Sequence, residues 1–185
     1  MEFAFIAGNL ALDFVATVAS RDTIAEEKLP SASALAEWLV LGRALSAPPD
    51  VSPDDFDHAI GLREATYAAL RDRAAGRQIQ APTLALINAA AAHPTPVPEL
   101  SSGGLVSHGS VDAALALVAR AAQTALIDPR MRFCAGVDCT RPFIDASRGG
   151  TRRWCGMSGC GDRAKAAAYR RRMGSKSSES QRRGS

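Results

Sequence analysis

Four cysteines carry the clearest chemistry in this chain. They read Cys134-x4-Cys139, then fifteen intervening residues, then Cys155-x4-Cys160. Two equally spaced pairs supply four soft thiolates, the donor set tetrahedral zinc prefers. A redox dithiol would carry two residues between its cysteines, near a β-α-β unit. A catalytic zinc needs an open position, and four thiolates close the shell. The spacing therefore predicts one structural zinc ion held by Cys134, Cys139, Cys155 and Cys160. The clustering of all four within 27 residues favours metal over disulfides in a reducing compartment. Gly136 and Gly156 beside the ligands suit tight knuckles. Phe133, Phe143 and Trp154 are expected to form a miniature core there, with the metal supplementing it.

Charge singles out the same region. Residues 1–130 hold 9 Lys and Arg against 15 Asp and Glu, a net of −6; residues 131–185 hold 13 against 4, a net of +9. An acidic body with a basic end points to a polyanion partner. Arg152 and Arg153 precede Trp154. Arg163, Lys165, Arg170, Arg171 and Arg172 fall on an expected alanine-rich helix that Cys160 opens and Gly174 ends. At 100° per residue, Arg163 and Arg170 lie about 20° apart, as do Lys165 and Arg172. A slim basic helix fits a DNA major groove and displaces counterions from phosphates. These seven residues are the candidate nucleic-acid contacts. Late basic residues also satisfy a helix dipole, so the cluster as a whole carries the reading. RNA is a weaker fit, because only Trp154 and Tyr169 could stack bases. Docking on an acidic protein partner, or on the acidic body itself, is the other alternative.

Elements that position this module follow from periodicity. Apolar residues make up 46% of the 185-residue chain and aromatics only 5%, which favours close-packed helices over sheet. Helices are expected over about 9–19 (Leu10, Phe14, Val18), over 33–46 with Ser33 as N-cap, and from Ser52-Pro53 toward Gly76. Two more are expected over 81–92 and 111–127. Residues 99–108 read as the one hairpin of this half, turning at Gly103-Gly104. The class is mainly α: a helical N-terminal domain over 1–130 and a treble-clef-like finger over 131–173. A disordered basic tail over 174–185 completes it. No run of 18 apolar residues spans a membrane. Glu2 and Asp13 interrupt the apolar start, so a cytoplasmic location is expected.

The run from Arg152-Arg153-Trp154-Cys155 through Cys160-Gly161-Asp162-Arg163-Ala164-Lys165 resembles the CGNR zinc finger family, with Phe133, Cys134, Cys139, Phe143 and Asp145 matching upstream. Asp162 stands where the family name has Asn. Both residues can stabilise a first helical turn. Leu10-Ala11-Leu12-Asp13-Phe14-Val15-Ala16-Thr17 is similar to the opening of the ABATE domain, although Ala16 replaces an expected Asn; Leu35, Trp38 and Leu39 also fit. The resemblance implies a bacterial, DNA-binding, stress-induced transcription regulator.

Residues 1–130 present no nucleophile, base and orienter set, so no enzyme is expected. His58, His93 and His108 are scattered along the sequence and read as surface residues. Asp13 is the sole charge in its apolar stretch. It could pair with an Arg or line a pocket for a small-molecule effector, with a solvated helix face as the default. By family analogy this half could sense such an effector or form a homodimer.

Overall fold

The computed structural model describes residues 3–171. Arg172 and the expected tail over 174–185 lie outside the described residues. The fold is mainly α with three small antiparallel hairpins.

Helix α1, Leu10–Val15, starts where Asn9 accepts the N–H groups of Ala11 and Leu12. It is much shorter than its apolar spacing predicts. Thr17 donates its hydroxyl to Phe14 O, and the chain then enters β1, Val18–Ala19. This strand pairs with β2, Glu26–Glu27, a hairpin the sequence did not announce. Across the fold, Glu27 of this hairpin pairs with Arg63. Helix α2, Ala32–Leu41, is capped by Ser31 rather than Ser33 and ends at Gly42, short of Ser46.

Helix α3, Pro53–Ala74, carries the strongest start signal. Ser52 and Asp55 exchange hydrogen bonds in a reciprocal cap, and Pro53 occupies the first turn. Its buried stripe is Ala59, Leu62, Arg63, Thr66, Ala69 and Leu70. Arg63 is only 3% exposed. Its guanidinium makes a two-point contact with Glu27 (2.8 and 2.7 Å), a third bond to Glu64 at 2.9 Å, and one to Thr17 Oγ1 at 3.2 Å. Burial works to raise the carboxyls of Glu27 and Glu64, but their arginine hydrogen bonds prevail and hold both below the usual range.

Helices α4, Ala81–Ala92, and α5, Val111–Ile127, match their predicted spans. Helix α5 packs against α1, α3 and α4 and forms the centre of the body. Strands β3, Val97–Ser101, and β4, Gly104–His108, form the expected hairpin, but Ser101 pairs with Gly104, which moves the turn to Ser102-Gly103. A short tie holds it to the body: Ser46 N–H donates to Ser107 O, and Ser107 N–H to Ser46 Oγ.

Strands β5, Met131–Phe133, and β6, Pro142–Ile144, belong to the cysteine module. Their side chains do not close a separate miniature core. Met131, Cys134, Phe143 and Ile144 join one apolar cluster with Leu12, Phe14, Trp38 and Leu70 of the body. Phe133 meets Tyr67 of α3 edge-on, with ring centroids 6.1 Å apart. Ile144 N–H donates to Ala7 O at 2.8 Å. The body therefore supplies much of the apolar support that a small metal module lacks.

Candidate metal centre and the basic surface it holds

The first cysteine pair sits on a knuckle between β5 and β6. Cys134 N–H bonds to Arg141 O, and Cys139 N–H closes a turn onto Gly136 O. Gly136 is dictated by the site: a Cβ there would lie 2.9 Å from Cys160 Sγ. In the second pair, Cys155 precedes the turn Met157–Gly161 and Cys160 lies within it, where Gly159 takes φ +92°, a region open mainly to glycine. A helix, α6, follows over 162–171. Strand, knuckle, strand and a ligand-bearing turn leading into a helix make up the expected finger.

All four sulfurs lie within 4.8 Å of one another. Cys139 Sγ is 3.8 Å from Cys155 Sγ, which is 3.9 Å from Cys160 Sγ. These separations exceed a disulfide bond. They match the edge of about 3.8 Å that a tetrahedron with zinc–sulfur bonds of about 2.3 Å requires. The residues fit one structural zinc ion, with Cys134, Cys139, Cys155 and Cys160 as ligands.

Electrostatics point the same way. A hydrogen bond from Cys155 pulls the Cys139 thiol down to about 5, while that contact, burial and the neighbouring sulfurs push Cys155 up. Burial and the same neighbours raise Cys160. Thiolates this close repel one another, and a divalent cation among them would offset that repulsion. Three donors then temper the excess negative charge. Gly136 N–H and Cys155 N–H approach Cys134 Sγ at 3.4 and 3.3 Å, and Arg163 Nη2 approaches Cys160 Sγ at 3.1 Å.

The candidate nucleic-acid residues divide into two groups. Arg152 points inward. Its Nε donates to Trp154 O at 2.9 Å, and its Nη2 to Cys155 O and to Ile6 O of the body. Its guanidinium also covers the Phe143 ring, 4.5 Å from the centroid. Its own N–H reaches Asp145, which also receives both the N–H and hydroxyl of Ser147. Arg152 thus ties the segment that leads into the second cysteine pair to the body.

Arg153, Arg163, Lys165, Arg170 and Arg171 are exposed. Arg153 lies over the Trp154 ring at 5.5 Å. Arg163 serves the cluster while remaining on the surface. Lys165 approaches Asp162 at 3.8 Å, a wet pair in which both side chains are 65% exposed. Asp162 therefore adds a local counter-charge at the start of α6. Arg172 falls outside the described residues.

Asp13 does not sit on a solvated helix face. It is 7% exposed, and its Oδ1 accepts the N–H groups of Ile6 (3.0 Å) and Ala7 (2.9 Å). Burial pushes its carboxyl up to about 6, against the lowering effect of those bonds and of Arg141. Asp13 fixes the segment that Arg152 and Ile144 then grip. Sequence reasoning missed this, as it missed Asp145 as a turn anchor. The one available signal was an acidic residue amid apolar neighbours.

Among the described residues, no helix is long and apolar enough to cross a membrane. No curated protein matches the chain. Residues 130–173 match the CGNR zinc finger, the segment that builds the sulfur cluster and α6. Residues 8–129, which build the helical body, match the ABATE family, described as "putative stress-induced transcription regulator". The chain belongs to the ABATE family and carries a CGNR zinc finger behind its helical body.

Proposed function

We propose that this protein is a zinc-dependent DNA-binding transcription regulator. The observation that carries the reading is the set of exposed cations, Arg153, Arg163, Arg170 and Arg171, on a finger built around the four-sulfur cluster. Charges on a fixed frame can meet several phosphates at once without first losing the freedom of a flexible tail. The zinc is structural, and the protein supplies no reaction. The family description, a transcription regulator, supports the assignment. Duplex DNA is favoured over single-stranded RNA, because the module's large aromatics are few and Trp154 is already covered by Arg153. The helical body is read as the part that responds to an effector or pairs two copies. Contacts such as Arg152–Ile6 and Ile144–Ala7 give it a mechanical route to the finger.

Fluorescence anisotropy with random duplex DNA over a salt series tests this, with and without zinc chelation. Binding that falls steeply with salt and vanishes on chelation is the expected result. Zinc-loaded protein that ignores DNA at low salt, or prefers single-stranded RNA in direct competition, overturns it.

A further inference from the structure

Helices α3, α4 and α5 of the body line a partly open cavity of about 290 Å³. Its apolar lining includes the buried Leu62 of α3 and Leu115 of α5 and the more exposed Leu86 of α4. The exposed Asp57, His58, His93 and Asp112, drawn from three separate stretches of sequence, line it as well. The histidines that looked scattered thus converge, two of three, on one opening. Among the described residues the only cluster with metal-ligand geometry is the four cysteines, so this group is not a second metal site.

Gly61 lines the cavity. It sits inside α3, where glycine costs about 1 kcal/mol relative to alanine. Packing does not demand it, since a Cβ at this position would meet nothing within 4 Å. The missing side chain leaves open space beside Leu62. Charge then selects the occupant. Among the described residues, no Lys or Arg lines the cavity, and neither Asp57 nor Asp112 takes part in an ion pair. An anion would face two carboxylates with no compensating cation. A cation would gain both. The imidazoles of His58 and His93 add ring nitrogens that can donate or accept.

We propose that this cavity binds a small organic cation, a protonated amine carried on an apolar body. The amine lies at Asp57 and Asp112, and the apolar part rests on Leu62, Leu86 and Leu115. The volume suits about ten non-hydrogen atoms, at about 30 Å³ for each water-sized group. The regulatory meaning of such a ligand rests on the reading of the body as effector-responsive; its binding does not.

The test uses zinc-loaded full-length protein without DNA and compares three probes by calorimetry. These are 2-phenylethylamine, its neutral isostere 2-phenylethanol, and the anion phenylacetate. The amine is expected to bind about tenfold or more tightly than the anion, with the alcohol between them. Gly61→Leu, which fills the cavity and favours helix, is expected to abolish amine binding with zinc content and helicity intact. Asp112→Asn is expected to reduce the preference of amine over alcohol. Amine and anion binding equally, amine binding surviving Gly61→Leu, or no amine binding up to about 10 mM each overturns the proposal. DNA affinity is measured separately on the same protein, so a failure to bind DNA leaves the amine result interpretable.

Discussion

Arg163 donates from Nη2 to Cys160 Sγ across 3.1 Å, so a residue that reads as a phosphate contact is also a partner of the metal cluster. Groups that hydrogen-bond to metal ligands typically tune metal affinity by about 10- to 100-fold. Arg163→Ala should therefore weaken zinc binding by about tenfold in a chelator competition. At saturating zinc, any DNA defect that persists belongs to the lost surface charge. An unchanged zinc affinity would show that the contact has no hold on the metal.

Removing a ligand is more severe than removing its neighbour. Cys155→Ser should lose the zinc, because the binding energy of such sites is largely folding energy. Loss of order should then pass into the body, since Phe143 and Ile144 share its core and Phe133 packs on Tyr67. Far-UV circular dichroism should retain the helices, while the thermal midpoint falls. A variant that kept one equivalent of zinc and the parent midpoint would falsify the assignment.

Asp13 predicts a pH dependence with a definite sign. Its carboxyl rises from an ordinary 3.8 to about 6 on folding. Between those values the native state holds a proton that the unfolded chain releases. The stability this contributes is therefore fully present below pH 4 or so and is lost as pH rises through about 6. Asp13→Asn keeps an acceptor for Ile6 and Ala7 and abolishes the titration. Urea denaturation should show a flatter slope across this window, and a gain of up to about 3 kcal/mol at neutral pH. An unchanged slope would place the titrating group elsewhere.

Arg63 predicts the opposite slope. Glu27 and Glu64 have lowered carboxyls, so their contribution is present above the ordinary glutamate range and is lost as pH falls through their folded values. Arg63→Met removes the arginine of Glu27, while Glu64 keeps its two bonds from Arg21, at 2.5 and 3.2 Å. Both carboxylates are partly exposed, at 38% and 44%, which favours the low end of buried-pair costs, about 3 kcal/mol. Denaturation of this variant below pH 4.5 or so should lose the share of the parent's acid sensitivity that Glu27 contributes, Glu64 remaining paired with Arg21; an acid response identical to the parent's would contradict the network.

What could be read from sequence depended on how local its cause was. Ser52, Pro53 and Asp55 specify the start of α3 within four positions, and the structure repeats that reading. The cysteine spacing located the zinc site for the same reason. By contrast, α1 stops at Val15 although its apolar spacing runs on to Val18. The β1–β2 hairpin, formed 36 positions from its ionic partner Arg63, replaces the expected last turns. Ser31 and Ser33 were equivalent caps by type, and only backbone placement separates them. The meeting of His58 with His93, and of Arg152 with Ile6, is tertiary and leaves no periodic trace.

Two neighbouring arginines allow the DNA reading to be tested against a purely structural one. Arg152 is bound to three carbonyl oxygens, and Arg153, one residue on, is exposed over Trp154. Arg152→Ala should cost about 2 kcal/mol of stability, because buried carbonyls lose a charged donor. Its DNA affinity should match the parent once the folded fraction is accounted for. Arg153→Ala and Arg170→Ala should leave the thermal midpoint within about 1 °C, as exposed substitutions do. Each should weaken DNA binding regardless of sequence and reduce the log–log salt slope by about 0.9. The pattern matters more than any single value. If Arg152→Ala alone lowers the salt slope, the phosphate-facing surface lies on the other side of the finger. If none of the three changes it, the exposed cations of α6 face something other than nucleic acid.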